Sequence, residues 1–585
     1  MTRGAGSFRR GVLPLLLLQT FLAGLYADAL PVFEGPDADG HLAYVAELQA
    51  APFVKPHLDA ATAARSHELV QQPPLYYLAV AAQLEPGQAA ALSAAFERNP
   101  SYPGLSHWVS RPALADRAAR APAGPIAVWI SLLGALLCTA ATYALVRQLP
   151  RGHRDLALLA AAVVALNPQF LQSAASLTND AWAAGLAALA MATALRTRQA
   201  TIRKETRGRR GWYEAAAWGL LTGAVLGLAM LTKYSTLLLV LPASLLMLSG
   251  ADPSRRPARL SGRQALAGAA MALAIALVAG PWLVANWRET GEWLPLAAMR
   301  RLLPQLFRAQ PMDWTDALYQ ALWAGRSYWG VFGHGVVAPP GYFALVHGFI
   351  LLALLGAARA VLGQAGSRSS GLGRRLRRFG PLLALGLAVW ILLTSTAFVR
   401  WVRMVQFANQ GRLLFGMAPV VACLLAWGWL GLARSRRSAL RSGIVLWAGL
   451  GLSQVTTLWQ AYRPPPALAA ARPQTVLEAE FGEGLQLLGL DLSDPDVEEG
   501  EAIRLRLYWR AEHLIDEDAM LFVHAVDAAG VKWAAEDRVP LAGRHPTTAW
   551  RPGETFAEDW ALVVAGRGRP ERVDLVLGAY HGEDP

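Results

Sequence analysis

The sequence predicts an α-helical membrane protein of about eleven spans followed by an all-β sandwich. Of its 585 residues, 54% are hydrophobic and only 16% are charged, whereas about 25% of the residues in ordinary soluble domains are charged. Apolar runs that approach the ~20 residues needed to cross a bilayer recur as far as residue 460. Beyond residue 474 apolar and polar residues alternate, which is typical of half-buried strands.

The charged residues divide the chain into two parts of opposite sign. Residues 474–585 contain 10 Lys or Arg and 23 Asp or Glu, so the overall net charge of +12 leaves +25 for residues 1–473. Half of all Lys and Arg lie in six short segments between the apolar runs, as the positive-inside rule predicts for cytoplasmic loops. We therefore expect a multi-pass plasma-membrane protein with its N terminus in the cytoplasm, its C terminus outside, and no nucleic-acid partner.

The predicted spans are apolar runs that are long enough, or nearly so, to cross the bilayer. They are residues 11–30, 124–146, 156–174, 181–195, 213–231, 234–249, 265–284, 341–358, 381–398, 413–432 and 442–459. The first run also resembles a signal peptide, because Arg9 and Arg10 precede it and Ala27-Asp28-Ala29, near its end, has the pattern of a cleavage site. We favour an uncleaved first span; cleavage would remove residues 1–29.

Two long outer loops, residues 31–123 and 285–340, interrupt the membrane domain, which is expected to cover residues 1–462. Loops of this length are uncommon in a multi-span protein unless they have a function. Residues 71–84 in the first loop are too few to span the membrane and predict an interfacial helix.

A Pro/Ala linker, residues 463–473, precedes the acidic region. Alternation at residues 503–510 and 520–526, with a DAAG turn at residues 527–530, predicts an extracytoplasmic β-sandwich over residues 474–585. The chain stops with HGEDP just after a predicted strand, which indicates an incomplete sandwich.

The most informative motif is EGPDADGHLAYVAEL, residues 34–48, directly after the first span. Asp37 or Asp39 could act as a general base toward a hydroxyl group. In an extended segment, Asp37, Asp39 and His41 would point the same way and could hold a divalent cation. The third interpretation is a polar loop whose aspartate caps the next helix. No other cofactor is expected, because the chain lacks nucleotide-loop and Cys/His metal motifs.

Further polar residues stand beside the predicted spans. Asn179 and Asp180 lie at a turn between two short spans, where the alternatives are a functional site and a solvated turn. Lys233 lies between two spans, and Arg412, two residues after Gln410, lies where an outer loop enters a span. One interpretation is that Lys233 and Arg412 are separate interfacial anchors. The other is that together they form a pair of cations suited to a lipid phosphate.

Seven motifs occur in a recognisable order: the acidic loop, PPLYY with Tyr76, NPQF…ND, LTKYS, W-x-x-x-N near residues 282–286, SYWGVFG at 327–333, and NQGR. Together they resemble the bacterial GT-C superfamily of integral-membrane glycosyltransferases, which includes relatives of protein mannosyltransferases and aminoarabinose transferases. The resemblance covers residues 10–460, and the most similar branch carries a PDE-x-x-H signature.

The resemblance implies an enzyme that moves a sugar from a polyprenyl-phosphate donor, with inversion, to an extracytoplasmic glycan, lipid or protein. Asp37 occupies the position of the catalytic base. The chain has Ala38 where that branch usually has Glu, so Asp39 is the second candidate. The implied substrate-binding residues are His41, Tyr76, Asn179, Asp180, Lys233, Gln410 and Arg412, of which Lys233 and Arg412 would hold the leaving phosphate. The C-terminal region resembles a β-sandwich appended to some such enzymes.

Two other functions stay open at this point. A lipid or sugar transporter would favour polar residues in the middle of spans and an internal repeat, and the sequence has neither. A non-catalytic cell-surface binding protein, with the sandwich as its working part, is favoured by the presence of Ala38 in place of Glu.

Overall fold

The structure is a computed structural model. It describes residues 2–31, 33–50, 55–65, 69, 71–94, 96–98, 108–110, 123–149, 153–202, 208–249, 261–333, 335–365, 381–463, 465–482, 484–496, 501–563 and 572–581. The chain divides into two compact units, Met1–Ala90 with Ala123–Leu458, and Ala91–Pro122 with Trp459–Pro585.

Helices dominate the first unit. The α-helices in chain order are α1 (Thr2–Ala29), α2 (Ala38–Ala50), α3 (Ala60–Arg65), α4 (Leu75–Ala81), α5 (Gln88–Ser93), α6 (Ala123–Gln148), α7 (Arg154–Ala165), α8 (Pro168–Ala174), α9 (Asp180–Ile202), α10 (Arg209–Met230), α11 (Val240–Leu248), α12 (Gly262–Thr290), α13 (Leu296–Leu302), α14 (Trp314–Gly330), α15 (Pro340–Ala365), α16 (Pro381–Met404), α17 (Ala418–Leu432) and α18 (Arg436–Tyr462). Short 3-10 helices occur at Tyr234–Leu239, Pro304–Leu306 and Gly411–Met417.

Each apolar run predicted to span the membrane is helical over most of its described residues, and the run 156–174 is interrupted at Leu166 and Asn167. Among the described residues, seven helical segments are long and apolar enough to cross a bilayer, or up to eight if the bent pair α7–α8 counts as one span. This number is below the predicted eleven because the segment Tyr234–Leu248 is short, and α9 and α18 are long but less apolar. The predicted class, an α-helical polytopic membrane protein, is confirmed.

Glycines bring α10 and α12 into close contact. A Cβ atom at Gly219 would lie 2.4 Å from the carbonyl oxygen of Ala267, and one at Gly223 would lie 2.1 Å from that of Met271. Side chains at these positions would therefore force the helices apart. The GxxxG spacing serves helix packing, as in many membrane proteins.

The break between α7 and α8 has a local cause in the NPQF motif. Asn167 caps α8, because its side-chain oxygen accepts from the backbone N–H of Gln169 at 2.9 Å. Pro168 occupies the first helical position, where its missing N–H is tolerated. The two helices are bent by 65° at this point, so the predicted continuous span 156–174 is a broken helix.

Most strands of the second unit form two antiparallel sheets, one of four strands and one of three. Its strands are β1 (Phe96–Arg98), β2 (Trp108–Ser110), β5 (Thr475–Phe481), β6 (Leu485–Leu492), β7 (Ala502–Ala511), β8 (Ala519–Val526), β9 (Lys532–Arg538), β10 (Thr555–Val563) and β11 (Asp574–His581), while β3 (Val331–Phe332) and β4 (Val336–Val337) belong to the first unit. One sheet has the order β10-β7-β6-β5 and the other β11-β8-β9.

A shared apolar core joins the two sheets. Trp509, Trp550 and Trp560 are fully buried in it, together with inward-facing residues of β6, β7, β8 and β10. The alternation read from the sequence therefore located β7 with its buried face, and it located β8, whose core-facing residues are Leu521, Val523 and Ala525. The final residues, 582–585 within HGEDP, lie outside the described part of the chain.

Candidate active site

Asp37, Asp180, Lys233 and Arg412 form one cluster of ion pairs. The Arg412 guanidinium reaches the Asp37 carboxylate at 2.5 Å through Nη2 and the Asp180 carboxylate at 2.9 Å through Nη1. The Lys233 ammonium pairs with the second oxygen of Asp180. Asp180 thus binds both cations, and Arg412 binds both carboxylates.

The members of the cluster differ in their access to solvent. The side chains of Asp180 and Arg412 are only 2% and 8% exposed, and that of Lys233 is 18% exposed. The side chain of Asp37, by contrast, is 52% exposed. A substrate can therefore reach the Asp37 carboxylate first, while the buried charges behind it neutralise one another.

Backbone geometry positions Asp37 directly before α2. Its φ of 60° lies in the left-handed region, which is uncommon for a residue other than glycine. Gly35, two residues earlier, packs so closely that a Cβ atom there would lie 2.6 Å from the Cβ of Ser176. The loop therefore depends on a glycine at this position, and it carries the strain at a residue of the site.

Because α2 begins at Ala38, the extended alternative, in which Asp37, Asp39 and His41 would together hold a cation, is wrong. Asp39 and His41 lie in the first turns of a helix, where alternate residues do not share a face. In the described part of the chain, no group of three His, Cys, Asp or Glu could hold a metal ion.

Close backbone packing fixes the position of Arg412. A Cβ atom at Gly411 would lie 2.2 Å from the backbone nitrogen of Tyr328 in α14, so only glycine fits there. The Gly411 N–H donates to the Ser327 hydroxyl at 2.5 Å, and Arg412 Nε donates to the side-chain oxygen of Gln410 at 2.6 Å. The NQGR and SYWGVFG motifs therefore act together in presenting one guanidinium.

The motifs LTKYS and W-x-x-x-N meet at Tyr234, next to Lys233. Trp282 Nε1 and Asn286 Nδ2 both donate to the Tyr234 hydroxyl oxygen at 3.0 Å. These bonds tie the short 3-10 helix after Lys233 to α12. Sequence reasoning identified Lys233 but missed Tyr234, although the two residues are adjacent in one motif.

A second polar group contains His41 and Asn179. The Nδ1 atom of His41 lies 2.8 Å from the Tyr77 hydroxyl, and Asn179 Nδ2 lies 3.3 Å from the same oxygen. The predicted Tyr76 instead bonds to the Ser131 hydroxyl at 2.8 Å, and only its ring faces His41. Tyr77, which sequence reasoning passed over, is therefore the PPLYY hydroxyl that joins this group.

The pKa values of Asp37 and His41 are shifted in the same direction. Partial burial acts to raise the pKa of the Asp37 carboxyl, but the charge and hydrogen bond of Arg412 outweigh it and hold this pKa below its ordinary value. Burial lowers the pKa of His41 to about 4, against the opposing effect of the Asp37 carboxylate. At neutral pH Asp37 is therefore ionised and His41 is uncharged.

Comparison with known proteins gives a partial family match and several distant structural likenesses. Residues 125–282, which are 158 of the 585, match the model of the dolichyl-phosphate-mannose-protein mannosyltransferase family. No curated protein sequence matches the chain.

Similar solved structures include ArnT from Cupriavidus metallidurans in the apo state, with 12% identity and a TM-score of 0.44 over 76% of each chain. For the same protein bound to undecaprenyl phosphate, the identity is 14% and the TM-score 0.43, over 76% of this chain and 65% of that one. An oligosaccharyltransferase from Archaeoglobus fulgidus has 13% identity and a TM-score of 0.34, over 76% of this chain and 54% of that one. This chain therefore spans less than two thirds of the last two. Over residues 125–282, the family match confirms the predicted resemblance to membrane glycosyltransferases of the GT-C superfamily.

Proposed function

We propose that the protein is a membrane glycosyltransferase that moves a sugar from a polyprenyl-phosphate donor to an extracytoplasmic acceptor, with inversion at the anomeric carbon. The family match supports a glycosyltransferase of this superfamily. The observation that carries the finer proposal is the exposed carboxylate of Asp37 beside two more buried cations, Lys233 and Arg412. A base and a phosphate-binding pair are the two parts that such a transfer needs.

In the proposed reaction, Asp37 takes the proton of an acceptor hydroxyl. The hydroxyl oxygen attacks the anomeric carbon from the face opposite the phosphate, and the bond from that carbon to the phosphate oxygen breaks. The phosphate leaves with the bonding electrons, and its growing negative charge is stabilised by Lys233 and Arg412. Asp180 keeps both cations in place.

Binding of the donor would also activate the base. In the unliganded site the two carboxylates and two cations balance, and Arg412 suppresses the basicity of Asp37. A phosphate that draws Arg412 toward itself adds a negative charge beside Asp37, which raises its affinity for a proton. The acceptor would then be deprotonated chiefly when the donor is bound.

The remaining predicted residues are proposed to bind the sugar and the acceptor, which is a glycan, lipid or protein. These residues are His41, Tyr76, Asn179 and Gln410, with Asp39 kept as the second candidate for the base. No cofactor is required in this proposal, because the cations of the site are side chains. The protein would lie in a bacterial plasma membrane with a cytoplasmic N terminus, and with residues 474–585 extracytoplasmic beyond the linker 463–473.

A non-catalytic protein that binds lipid phosphates is the second candidate. It is favoured by the ion pair between Asp37 and Arg412, since this contact lowers the basicity of the carboxylate. Such a protein would need Lys233 and Arg412 but not an ionised Asp37.

The test is sugar transfer from polyprenyl-phosphate donors in detergent, with the anomeric configuration of the product read by NMR. Lys233→Ala and Arg412→Ala should weaken donor binding and also lower the rate, because both cations contact the phosphate before and after the bond breaks. Phosphate binding without any transfer, over a range of donors and acceptors, would favour the binding protein. A product of retained configuration would contradict direct attack.

A further inference from the structure

We propose that His41 is held as the neutral tautomer protonated on Nε2, and that this N–H donates to an oxygen of the sugar-phosphate donor. The inference rests on the proposed function for its ligand. The tautomer itself follows from hydrogen bonds that do not depend on the reaction.

The orientation of the Asn179 amide can be assigned without ambiguity. Its Nδ2 lies 3.2 Å from the carbonyl oxygen of Thr232. Since a carbonyl oxygen only accepts, the amide atom facing it must be the nitrogen. The second proton of that nitrogen is directed at the Tyr77 hydroxyl oxygen, 3.3 Å away.

Tyr77 passes this orientation on to His41. Burial holds the pKa of Tyr77 well above its ordinary value, so the hydroxyl keeps its proton. Its oxygen already accepts from Asn179, and the nearest acceptor for its own proton is His41 Nδ1, at 2.8 Å. If Nδ1 carried a proton instead, the Tyr77 proton would face another donor. His41 Nδ1 is therefore the acceptor, and the single proton of the neutral imidazole lies on Nε2.

This Nε2–H group is buried without a partner among the described residues. His41 as a whole is only 3% exposed. A buried donor that makes no hydrogen bond lowers the stability of the fold, so this group calls for an explanation. A bound oxygen atom would remove this penalty.

The surroundings of His41 favour an oxygen of the donor as this partner. The imidazole of His41 lies within the electrostatic range of all four charges of the cluster. The carboxylates of Asp37 and Asp180 favour its protonation, and the cations Lys233 and Arg412 oppose it. Asp37 also lies one helical turn before His41, and its backbone carbonyl oxygen accepts a hydrogen bond from the backbone N–H of His41 at 2.9 Å. Nε2–H thus belongs to the same site as the base and the phosphate-binding cations. Its partner is either a non-bridging phosphate oxygen or a hydroxyl of the sugar.

The tautomer can be measured without any assay of transfer. We would label the protein with ¹⁵N-histidine and record solid-state NMR spectra, assigning His41 by difference from His41→Asn. The expected spectrum at pH 7 is a neutral ring protonated on Nε2, and in Tyr77→Phe a mixture of both tautomers. Tyr44→Phe is the matched control, because its hydroxyl donates to the carbonyl of Gln72 instead. An imidazolium or an Nδ1-protonated ring in the unmodified protein would overturn the proposal.

Binding measurements identify the oxygen. His41→Asn removes the group at the Nε2 position, whereas the side chain of His41→Gln can place an amide N–H near it. We expect His41→Asn to weaken binding by about 10- to 100-fold, with His41→Gln closer to the unmodified protein. If His41→Asn weakens the binding of undecaprenyl phosphate, which carries no sugar, the partner is the phosphate. If His41→Asn weakens only the binding of a sugar-loaded polyprenyl phosphate, the partner is the sugar. Unchanged binding of both probes to His41→Asn would refute the contact, even where transfer itself is confirmed.

Discussion

The substitution Asp180→Asn separates the role of the buried carboxylate from that of the exposed one. Asp180 is 2% exposed and pairs with both Arg412 and Lys233. An asparagine keeps the shape, but its amide nitrogen must face one of these two cations, donor against donor. Removing one partner of a buried ion pair costs ~3–5 kcal/mol. We expect the variant to lose stability in this range, because both cations that remain are largely buried.

The assay is thermal melting in detergent, with Asp37→Asn as the matched control. Asp180→Asn should lower the melting temperature by roughly 2–5 °C, while Asp37→Asn should change it little because that side chain is 52% exposed. Equal melting temperatures for Asp180→Asn and the unmodified protein would refute the buried cluster.

Three further predictions concern packing, pH and topology. Gly223→Ala should destabilise the helix pair α10–α12, because the added Cβ would lie 2.1 Å from a backbone oxygen. Gly280→Ala is the control and should melt like the unmodified protein, because there is open space around its Cβ. Equal melting temperatures for the two variants would contradict the close contact. Burial raises the pKa of Glu558 in the folded protein above its value in the unfolded chain. The part of the free energy of unfolding that depends on Glu558 is therefore fully present below the unfolded pKa, and it is lost as pH rises through the folded pKa. Glu558→Gln should flatten this decline in tryptophan-monitored melts from pH 4 to 8, and an unaltered decline would count against it. Reporter fusions after residues 210 and 470 should read cytoplasmic and extracytoplasmic respectively, and a cytoplasmic reading at 470 would reverse the proposed orientation.

The sequence predicted the long apolar helices and some of the strands, because these elements have a local signal. Apolar runs near membrane length located the helices, and period-two alternation located β7 and β8. The prediction was least reliable where helices begin. Of the alternatives at Asp37, the extended segment is excluded by a helix from Ala38, and the predicted span 156–174 breaks at Asn167, which caps α8. The Asn-Pro pair at that break is a helix-start signal that could have been used.

The site itself depends on contacts that no local pattern contains. Asp37 and Arg412 are 375 positions apart, and they meet because Gly411 packs against the backbone of α14. The sequence supplied both residues as candidates, but not their pairing. The choice of Tyr77 over Tyr76 likewise depends on which hydroxyl faces His41, and this is a matter of packing between α2 and α4.

The most direct test of the proposed reaction is the rate of sugar transfer by Asp37→Asn. The substitution keeps the size of the side chain and removes the proton acceptor. We predict a loss of ~10²–10⁴-fold in rate, the usual contribution of a general base, with protein level and melting temperature nearly unchanged. Asp39→Asn, the control, should be affected much less. Full activity in both variants would contradict the role of this loop in catalysis and leave the lipid-phosphate-binding protein as the better account.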